Sequence, residues 1–413
     1  MKTRFCKLLA FLLALCLLPL SGLAAEIELY PAEPLPQSSA TDNMARISQS
    51  PLLETSPIDL NCGSALLLEA GSGQVIFEMN AATPRPAASI TKVMTILLTF
   101  EALEQGRIAI DQRVTISPTA SGMGGSQVLL DTGEVQTVDV LLKSAIVGSA
   151  NDACVALAEL MYGSEELCVK RMNERAVELG MESTAFVNCT GLPASGQYTT
   201  ARDVAIMTMA MLQHPRYFEY SQIWMDEVVH PENRVTQLTN TNKLIRLYDG
   251  CDGGKTGSTN EAGYCVTATA LRGDMRLIAV VLAADSGNER FDVAQDMFDY
   301  GFANYRLYPV AQRGTKIRGE LPVNGGRPDS IPLVLNEDLT LLIGKGDEQR
   351  ICLIPELPQT LTAPIESGQS VGHICVELDG RILARLDICA AAASEVKGLK
   401  NALQQLMKDW ILN

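Results

Sequence analysis

Two groups of strand-like runs bracket a long helical block, and this order constrains the fold more than any other feature of the chain. SALLLEA and QVIFEMN surround Gly71-Ser72-Gly73, a pattern that predicts a hairpin. Apolar residues at helical spacing dominate from about 137 to 215, and strand-like runs return after about 255 as GYCVTATAL and RLIAVVLAA. A helical run, FDVAQDMFDYGFANY, follows. The order predicts one α/β (α+β) domain over residues 61–305, with a sheet built from both of its ends.

The pattern changes after Tyr305, because short strand-like runs replace the helices. These runs include IPLVLNEDLTLLIG, ICLIPEL and HICVELDGRILARLDI. Asp379-Gly380 lies inside the last of them and predicts a tight hairpin turn. We therefore predict a separate small all-β sandwich domain over residues 306–391.

The end of the chain predicts an amphipathic helix over residues 394–413. Lysines and glutamines occupy one helical face, and apolar residues occupy the other: Val396, Leu399, Leu403, Leu406, Met407 and Trp410. The charged residues recur too often for a membrane span, so we expect the helix to lie in the lipid interface. The mature protein is thereby predicted to attach peripherally to the outer face of the cytoplasmic membrane.

The N-terminus has the pattern of an export signal. Basic residues at positions 2, 4 and 7 precede an apolar stretch from Leu8 to Leu20, and small residues precede Glu26. Cleavage after Ala24 is predicted, which places the mature protein outside the cytoplasm. Residues 25–60 contain five prolines and many polar residues, and they predict a flexible linker.

Charge and metal-ligand spacing exclude several function classes. The net charge of −15 argues against nucleic acid as a partner. Nine cysteines remain after signal removal, and no C-x-x-C pair occurs. The three histidines, His214, His230 and His373, are far apart in the sequence, so we predict no metal site and no cofactor. The cysteines are interpreted as small core residues because most of them stand in apolar runs.

Ser89 and Lys92 are three residues apart at a predicted helix start, so they share one face of that helix. A serine hydroxyl needs a base to become a nucleophile, and a neutral lysine amine supplies one if burial or another cation lowers its pKa. Backbone N–H groups at the helix start would stabilise an oxyanion. Taken alone, the pair favours a capped helix start over a reactive centre, and the same spacing recurs at Ser394 and Lys397.

Two further motifs favour the catalytic interpretation of Ser89. K-T-G occurs once, at 255–257, where a strand-like run opens. S-x-N occurs at 149–151, 258–260 and 286–288, and only the first lies between the other two motifs. Taken singly, Ser149 and Asn151 fit a turn between helices, and Lys255 fits a solvated strand end. S-x-x-K, S-D-N and K-T-G occur together in penicillin-binding proteins and class A β-lactamases.

With these motifs in order, the chain resembles the low-molecular-mass penicillin-binding proteins that are D-alanyl-D-alanine carboxypeptidases. The resemblance extends from about 62 to the end and includes GSANDACVALAE and DGGKTGSTNEAGYC. It implies an antiparallel sheet with a helical block, a β domain and a terminal amphipathic helix. It also implies peptidoglycan stem peptides as substrates and β-lactam antibiotics as covalent ligands.

The resemblance implies roles for nine residues: Ser89, Lys92, Ser149, Asn151, Lys255, Thr256, Gly257, Ser258 and Arg290. Ser89 would attack the carbonyl between two terminal D-alanines, and Lys92 would take its proton. Ser149 and Asn151 would relay the proton and hold the substrate amide. The K-T-G strand and Arg290 would bind the terminal carboxylate, Lys255 would also keep Lys92 neutral, and the N–H groups of Ser89 and Ser258 would form the oxyanion hole.

The chain departs from the family pattern at two positions. Ser258 stands where related enzymes often carry histidine, and Ala150 where glycine is more usual. The first departure leaves the deacylation rate open. A β-lactamase, a transpeptidase and a non-catalytic cell-wall binder or penicillin sensor are the alternative functions on the same fold. No Glu-x-x-Leu-Asn stretch lies between Asn151 and Lys255, which argues against a class A β-lactamase.

Overall fold

The computed structural model describes residues 29–30 and 47–398. These residues divide into two compact units. One unit contains the described residues up to 307 together with 342–345, apart from 29–30, and the other contains 29–30, 308–341 and 346–398. The predicted signal at 1–24 lies outside the described residues.

Twenty strands occur in the described part of the chain. They are β1 (Leu29–Tyr30), β2 (Cys62–Glu69), β3 (Val75–Met79), β4 (Arg113–Thr115), β5 (Val135–Thr137), β6 (Met225–Val229), β7 (Val235–Thr239), β8 (Cys251–Thr259), β9 (Gly263–Arg272), β10 (Met275–Ala284), β11 (Tyr305–Ala311), β12 (Lys316–Asn324), β13 (Gly326–Arg327), β14 (Ser330–Leu335), β15 (Leu339–Gly344), β16 (Ile351–Glu356), β17 (Leu361–Thr362), β18 (Ser370–Leu378), β19 (Arg381–Ala390) and β20 (Glu395–Val396).

The α-helices of the described residues all lie between β3 and β11. They are α1 (Lys92–Glu104), α2 (Pro118–Ser121), α3 (Val138–Val147), α4 (Asn151–Tyr162), α5 (Glu165–Leu179), α6 (Ala201–Leu212), α7 (Tyr217–Ser221), α8 (Leu244–Leu247) and α9 (Glu289–Asn304). Short 3-10 turns occur at Ala88–Thr91, Pro231–Asn233 and Glu348–Arg350. Among these helices, none combines the length and the apolar character that crossing a membrane requires.

The predicted sheet of the larger unit is confirmed. Its five strands are antiparallel in the order β3-β2-β10-β9-β8, so β2 from the start of the unit pairs with β10 near its end. Successive residues of β2 pack into different cores, with Leu66 beside the residues of α6 and Leu67 beside those of α9. Because both faces are covered, the strands are continuous apolar runs rather than alternating ones.

Local sequence signals position the helices around the sheet. Thr137 and Thr200 cap α3 and α6 as predicted, with their hydroxyls accepting hydrogen bonds from Val140 N and Asp203 N. Gly106 follows the end of α1 with a φ of 66°. A left-handed glycine at this position is a common way for a helix to end.

Residues 48–53, which fall in the predicted linker, lie along β3 of the larger unit. Ser48 N donates to Gly73 O, and the backbone of Leu52 and Leu53 donates to Val75 and Ile76. Arg202 also donates to the backbone oxygen of Ser48. This part of the linker is therefore bound to a sheet edge, which its proline content alone did not indicate.

The smaller unit is β-rich, as the sequence predicts for residues 306–391. Its seven-stranded sheet has the order β1-β12-β14-β19-β18-β16, with β17 beside β12. Asp379 and Gly380 form the turn between β18 and β19, and both have positive φ, as a type I′ hairpin turn needs. The apolar cluster of this unit includes Ile331, Ile374 and Ile388.

The predicted helix over 394–413 does not begin where the sequence suggested. Ser394 exchanges two backbone hydrogen bonds with Ile365, and Glu395–Val396 pairs with β13. Since their backbone groups serve a β ladder, residues 394–396 are not helical. Leu399 to Asn413, which carry most of the predicted apolar face, lie outside the described residues.

Candidate active site

Ser89 lies in the 3-10 turn that leads into α1, and Lys92 is the first residue of that helix. Lys92 Nζ is 2.8 Å from Ser89 Oγ and donates to Thr190 O at 2.6 Å. Lys92 is fully buried, whereas Ser89 is partly exposed. A reactant can therefore reach the hydroxyl, while the amine beside it is shielded from water.

Burial lowers the pKa of Lys92 from 10.5 to about 8. A neutral amine offers one lone pair, and a carbonyl oxygen can only accept hydrogen bonds. Thr190 O therefore takes an N–H of Lys92, which leaves the lone pair free to face the Ser89 hydroxyl. This geometry fits a base that removes the proton of Ser89.

Ser149 and Asn151 stand where α3 ends and α4 begins. Ser149 has a φ of 59°, a left-handed conformation that costs a residue other than glycine about 1–2 kcal/mol. In this conformation its hydroxyl accepts a 2.7 Å hydrogen bond from Lys255 Nζ. Asn151 Nδ2 donates to Gly124 O at 2.6 Å, and the buried Asn151 Oδ1 has no hydrogen-bond partner among the described residues. The site thus presents a buried acceptor that is free for another molecule.

Lys255 lies on β8 and is 2% exposed. Burial first, and then the charge of Lys92, hold the pKa of Lys255 well below 10.5. The resemblance to the family implies that Lys255 keeps Lys92 neutral, but burial, the other cause that the sequence suggests, is the main reason for the lowered pKa of Lys92. Repulsion between the ammonium groups of Lys92 and Lys255 also disfavours charging both lysines at once, in addition to the effect of burial.

Gly257 allows β8 to approach the nucleophile. A Cβ at this position would lie 2.6 Å from Ala87 O and 2.9 Å from Ser89 N. Such distances exclude any side chain, so the backbone of β8 passes directly beside that of Ser89. On the same strand, Thr256 precedes Gly257 and is buried, whereas Ser258 follows Gly257 and is exposed.

Arg290 is the second residue of α9 and reaches the backbone of β8. Its Nη1 donates to Gly257 O at 3.1 Å and to Cys265 O at 3.3 Å, and its guanidinium lies 4.7 Å from the centre of the Phe291 ring. Its buried Nε has no hydrogen-bond partner in the described part of the chain. Arg290 therefore supports the K-T-G strand through backbone carbonyls, a contact that the sequence did not indicate.

The loop at 188–191 is a part of the site that the sequence did not reveal. Gly191 has a φ of 86°, and a Cβ there would lie 1.9 Å from Ala88 O. Asn188 Oδ1 accepts from Gly191 N and Thr190 N, which fixes the loop. The loop aims Thr190 O at Lys92, so it holds the base from a position about a hundred residues away in the sequence.

Asp152 is another supporting residue of the site that the sequence did not reveal. Its buried carboxylate accepts hydrogen bonds from Val128 N and Leu130 N. The same loop supplies Ser126 O, which accepts from Asn151 N at 2.7 Å. Asp152 thereby fixes the loop that faces the S-x-N turn.

The arrangement suits acyl transfer. It combines an accessible hydroxyl, a shielded base with a lowered pKa, a second hydroxyl bound to a second lysine, and a strand edge beside the nucleophile. The second S-x-x-K, at 394–397, has none of these features, because Ser394 is fully buried in a β bridge and donates to Pro328 O.

Comparisons with known proteins agree with this chemistry. Residues 51–286 match the family described as D-alanyl-D-alanine carboxypeptidase, and 305–396 match the C-terminal domain of penicillin-binding protein 5. The chain is 37% identical over 357 residues to the D-alanyl-D-alanine carboxypeptidase DacF of Bacillus subtilis (strain 168), covering 86% of this chain and 92% of DacF. It is 34% identical to DacC of Escherichia coli (strain K12), covering 76% and 80%. The solved penicillin-binding protein 5 of Haemophilus influenzae aligns with a TM-score of 0.75 at 29% identity, over 83% of this chain and 99% of that one.

Proposed function

The chain belongs to the D-alanyl-D-alanine carboxypeptidase family, and we propose that it removes the terminal D-alanine from peptidoglycan stem pentapeptides through an acyl-enzyme on Ser89. The family makes it a serine-type carboxypeptidase and penicillin-binding protein rather than a non-catalytic binder. The observation that carries the assignment to Ser89 is the 2.8 Å contact with the buried amine of Lys92.

The first half of the reaction forms the acyl-enzyme. Ser89 Oγ attacks the carbonyl carbon of the penultimate D-alanine while its proton passes to neutral Lys92. Backbone N–H groups of Ser89 and Ser258 stabilise the oxyanion, which the close approach of β8 at Gly257 supports. The C–N bond then breaks, and the leaving D-alanine amine receives the proton through Ser149.

The second half returns the free enzyme. Water attacks the ester carbonyl and gives a proton to Lys92. The C–O bond between the acyl carbon and Ser89 then breaks as Lys92 returns this proton to Ser89 Oγ, and the shortened peptide leaves as a carboxylate after releasing its acid proton to solvent. β-Lactam antibiotics acylate Ser89 by the same first step, in which the amide bond of the lactam ring opens. Labelling by a fluorescent penicillin therefore measures acylation alone, and release of D-alanine measures the whole cycle.

Substrate binding uses the free polar groups of the site. Asn151 Oδ1, buried and without a partner in the described chain, is suited to accept an N–H of the peptide. Lys255 and Thr256 are suited to bind the terminal carboxylate, and Arg290 positions their strand through Gly257 O. Arg290 is therefore a positioning residue in this proposal.

The test is Ser89→Ala in the mature protein, with Ser286→Ala as the matched control. Ser286 is exposed and belongs to another S-x-N sequence. We expect Ser89→Ala to lose both penicillin labelling and D-alanine release while its melting temperature changes little. Persistent covalent labelling of this variant would overturn the assignment, and loss of labelling in Ser286→Ala would point to a folding defect instead.

We also propose that residues 1–24 direct export and that the C-terminal segment holds the protein on the outer face of the cytoplasmic membrane. The support is the sequence pattern, with apolar residues on one helical face and lysines on the other. Because residues 394–396 pair within the β domain, the truncation should remove only 399–413. Liposome co-sedimentation should fall after this truncation. Equal sedimentation of both proteins would refute the anchor.

A further inference from the structure

Three side chains of different chemistry meet on one face of the β domain: Glu356 of β16, and His373 and Cys375 of β18. In the strand register Glu356 is opposite His373, and Cys375 follows two residues along, so all three project from the same face. One ligand atom from each lies within 4.8 Å of the other two. We propose that these three residues form a binding site for a divalent transition-metal ion, with zinc as the best fit.

The polar contacts of the cluster favour a shared ligand over a closed hydrogen-bond network. Cys375 Sγ is 3.4 Å from Glu356 Oε1, and His373 Nε2 is 2.6 Å from Glu356 Oε2. Despite this short separation, His373 Nε2 is buried without a hydrogen-bond partner among the described residues, so the ring nitrogen is poorly aligned with the carboxylate. A metal ion between the three groups would use this nitrogen as a ligand.

The arrangement of the three side chains argues against Cys375 as a catalytic nucleophile. A catalytic cysteine needs an imidazole beside its sulfur to take the proton. Here the carboxylate of Glu356 stands between Cys375 and His373. No imidazole is therefore placed to take the proton of the Cys375 thiol.

The donor set selects zinc among common metal ions. Thiolate, imidazole and carboxylate together are typical ligands of Zn²⁺, whereas Mg²⁺ and Ca²⁺ prefer oxygen alone. Tetrahedral bonds of the usual lengths place ligand atoms about 3.4–3.6 Å apart. The distance from Cys375 Sγ to Glu356 Oε1 already has this value. The distance from His373 Nε2 to Glu356 Oε2 is shorter, and the exposed Glu356 side chain has room to move and lengthen it. Three protein ligands leave one coordination position for water.

The third strand of this face supplies charges of both signs. Asp387 of β19 is opposite His373, and Arg385 is opposite Cys375. Asp387 favours a cation and is placed to orient the imidazole, as outer carboxylates commonly do. Arg385 opposes a cation, but it is exposed and can turn toward solvent. Sequence spacing alone predicts no metal site, because the cluster forms only when β16 pairs with β18.

The probe is Co²⁺, added to the mature, chelator-treated full-length protein under reducing conditions. Thiolate ligation produces a sulfur-to-cobalt charge-transfer band, and Zn²⁺ should displace it at one ion per chain. Cys375→Ser should abolish the band. Cys352→Ser is the matched control, because Cys352 lies on β16 of the same sheet, is exposed and is outside the cluster. This control should keep the full band.

Two further measurements separate ligation from folding. Glu356→Gln changes an exposed side chain, and we expect zinc affinity to fall by more than the roughly 10–100-fold typical of outer partners. Glu377→Gln, on β18, is its control. Binding should also release about one proton per ion as the Cys375 thiol ionises. The proposal fails if wild-type protein gives no thiolate band, if the band survives Cys375→Ser, or if Cys352→Ser removes it.

Discussion

The pH dependence of acylation tests the proposed role of Lys92 most directly. Only the neutral amine can take the proton of Ser89, and burial lowers the pKa of Lys92 from 10.5 to about 8. At pH 7 about one-tenth of the amine is neutral, against roughly one part in 3,000 for an ordinary lysine. The burial of this one side chain therefore raises the reactive fraction by roughly 300-fold.

The expected profile follows from the same pKa. The limiting rate of acylation by a fluorescent penicillin should rise roughly 50-fold from pH 6 to pH 8, because the neutral fraction of Lys92 grows about ninefold from pH 6 to pH 7 and about 5.5-fold from pH 7 to pH 8. From pH 8 to pH 9.5 it should rise only about twofold. With an unshifted pKa of 10.5 the second interval would instead show a rise of roughly 30-fold.

The assay must separate acylation from binding, because Lys255 also titrates with a lowered pKa. Stopped-flow labelling at several penicillin concentrations gives the limiting rate, which reports Lys92, and the half-saturation concentration, which reports Lys255. Lys92→Arg is the control, since its guanidinium stays protonated and should not label at any pH. A limiting rate that keeps rising steeply to pH 9.5, or that is independent of pH, would refute the assignment of Lys92 as a buried base.

Further substitutions test the parts of the site that surround the pair. Asn151→Ala should reduce D-alanine release by about tenfold or more, because the substrate loses a buried hydrogen-bond acceptor. Asn288→Ala is the control, since Asn288 is exposed, belongs to another S-x-N sequence and should not affect D-alanine release. Equal losses in both variants would refute the role of Asn151 in substrate binding. Gly191→Ala should cost about 1–3 kcal/mol of unfolding free energy and slow penicillin labelling, because its Cβ would meet Ala88 O at 1.9 Å. Gly196→Ala is its control in denaturant titrations, with the same φ of 86° but no atom nearer than 4.0 Å. Similar labelling rates for the two glycine variants would contradict the claim that the 188–191 loop positions Ser89.

Much of the fold was predictable because its signals are local. Thr137 and Thr200 cap the helices that follow them, and Asp379-Gly380 forms the turn its residues require. The end of the chain was less predictable. Residues 394–396 have helical spacing, yet their backbone hydrogen bonds go to Ile365 and β13, which are distant in sequence. Tertiary pairing overrides the local pattern there.

The candidate site was likewise predictable where short motifs mark its residues and not where tertiary contacts place them. Three short motifs predict Ser89, Lys92, Ser149 and Lys255 as site residues, and the structure joins these side chains in two hydrogen-bonded pairs, Lys92 with Ser89 and Lys255 with Ser149. The supporting groups have no comparable motif. Thr190 acts through a backbone carbonyl, which any residue type provides, so only the folded loop reveals it. The Glu356 cluster is likewise visible only after β16 and β18 pair.

The burial that activates Lys92 also lowers the free energy of unfolding. A pKa lowered from 10.5 to about 8 corresponds to about 3 kcal/mol at neutral pH. The sign follows from proton binding: between pH 8 and 10.5 the unfolded chain binds more protons at Lys92 than the folded chain. This contribution to stability therefore improves as pH rises through that window, and its full cost is present below about pH 8. The apolar cores on the two faces of the sheet stabilise the fold against the cost of burying Lys92 and Lys255.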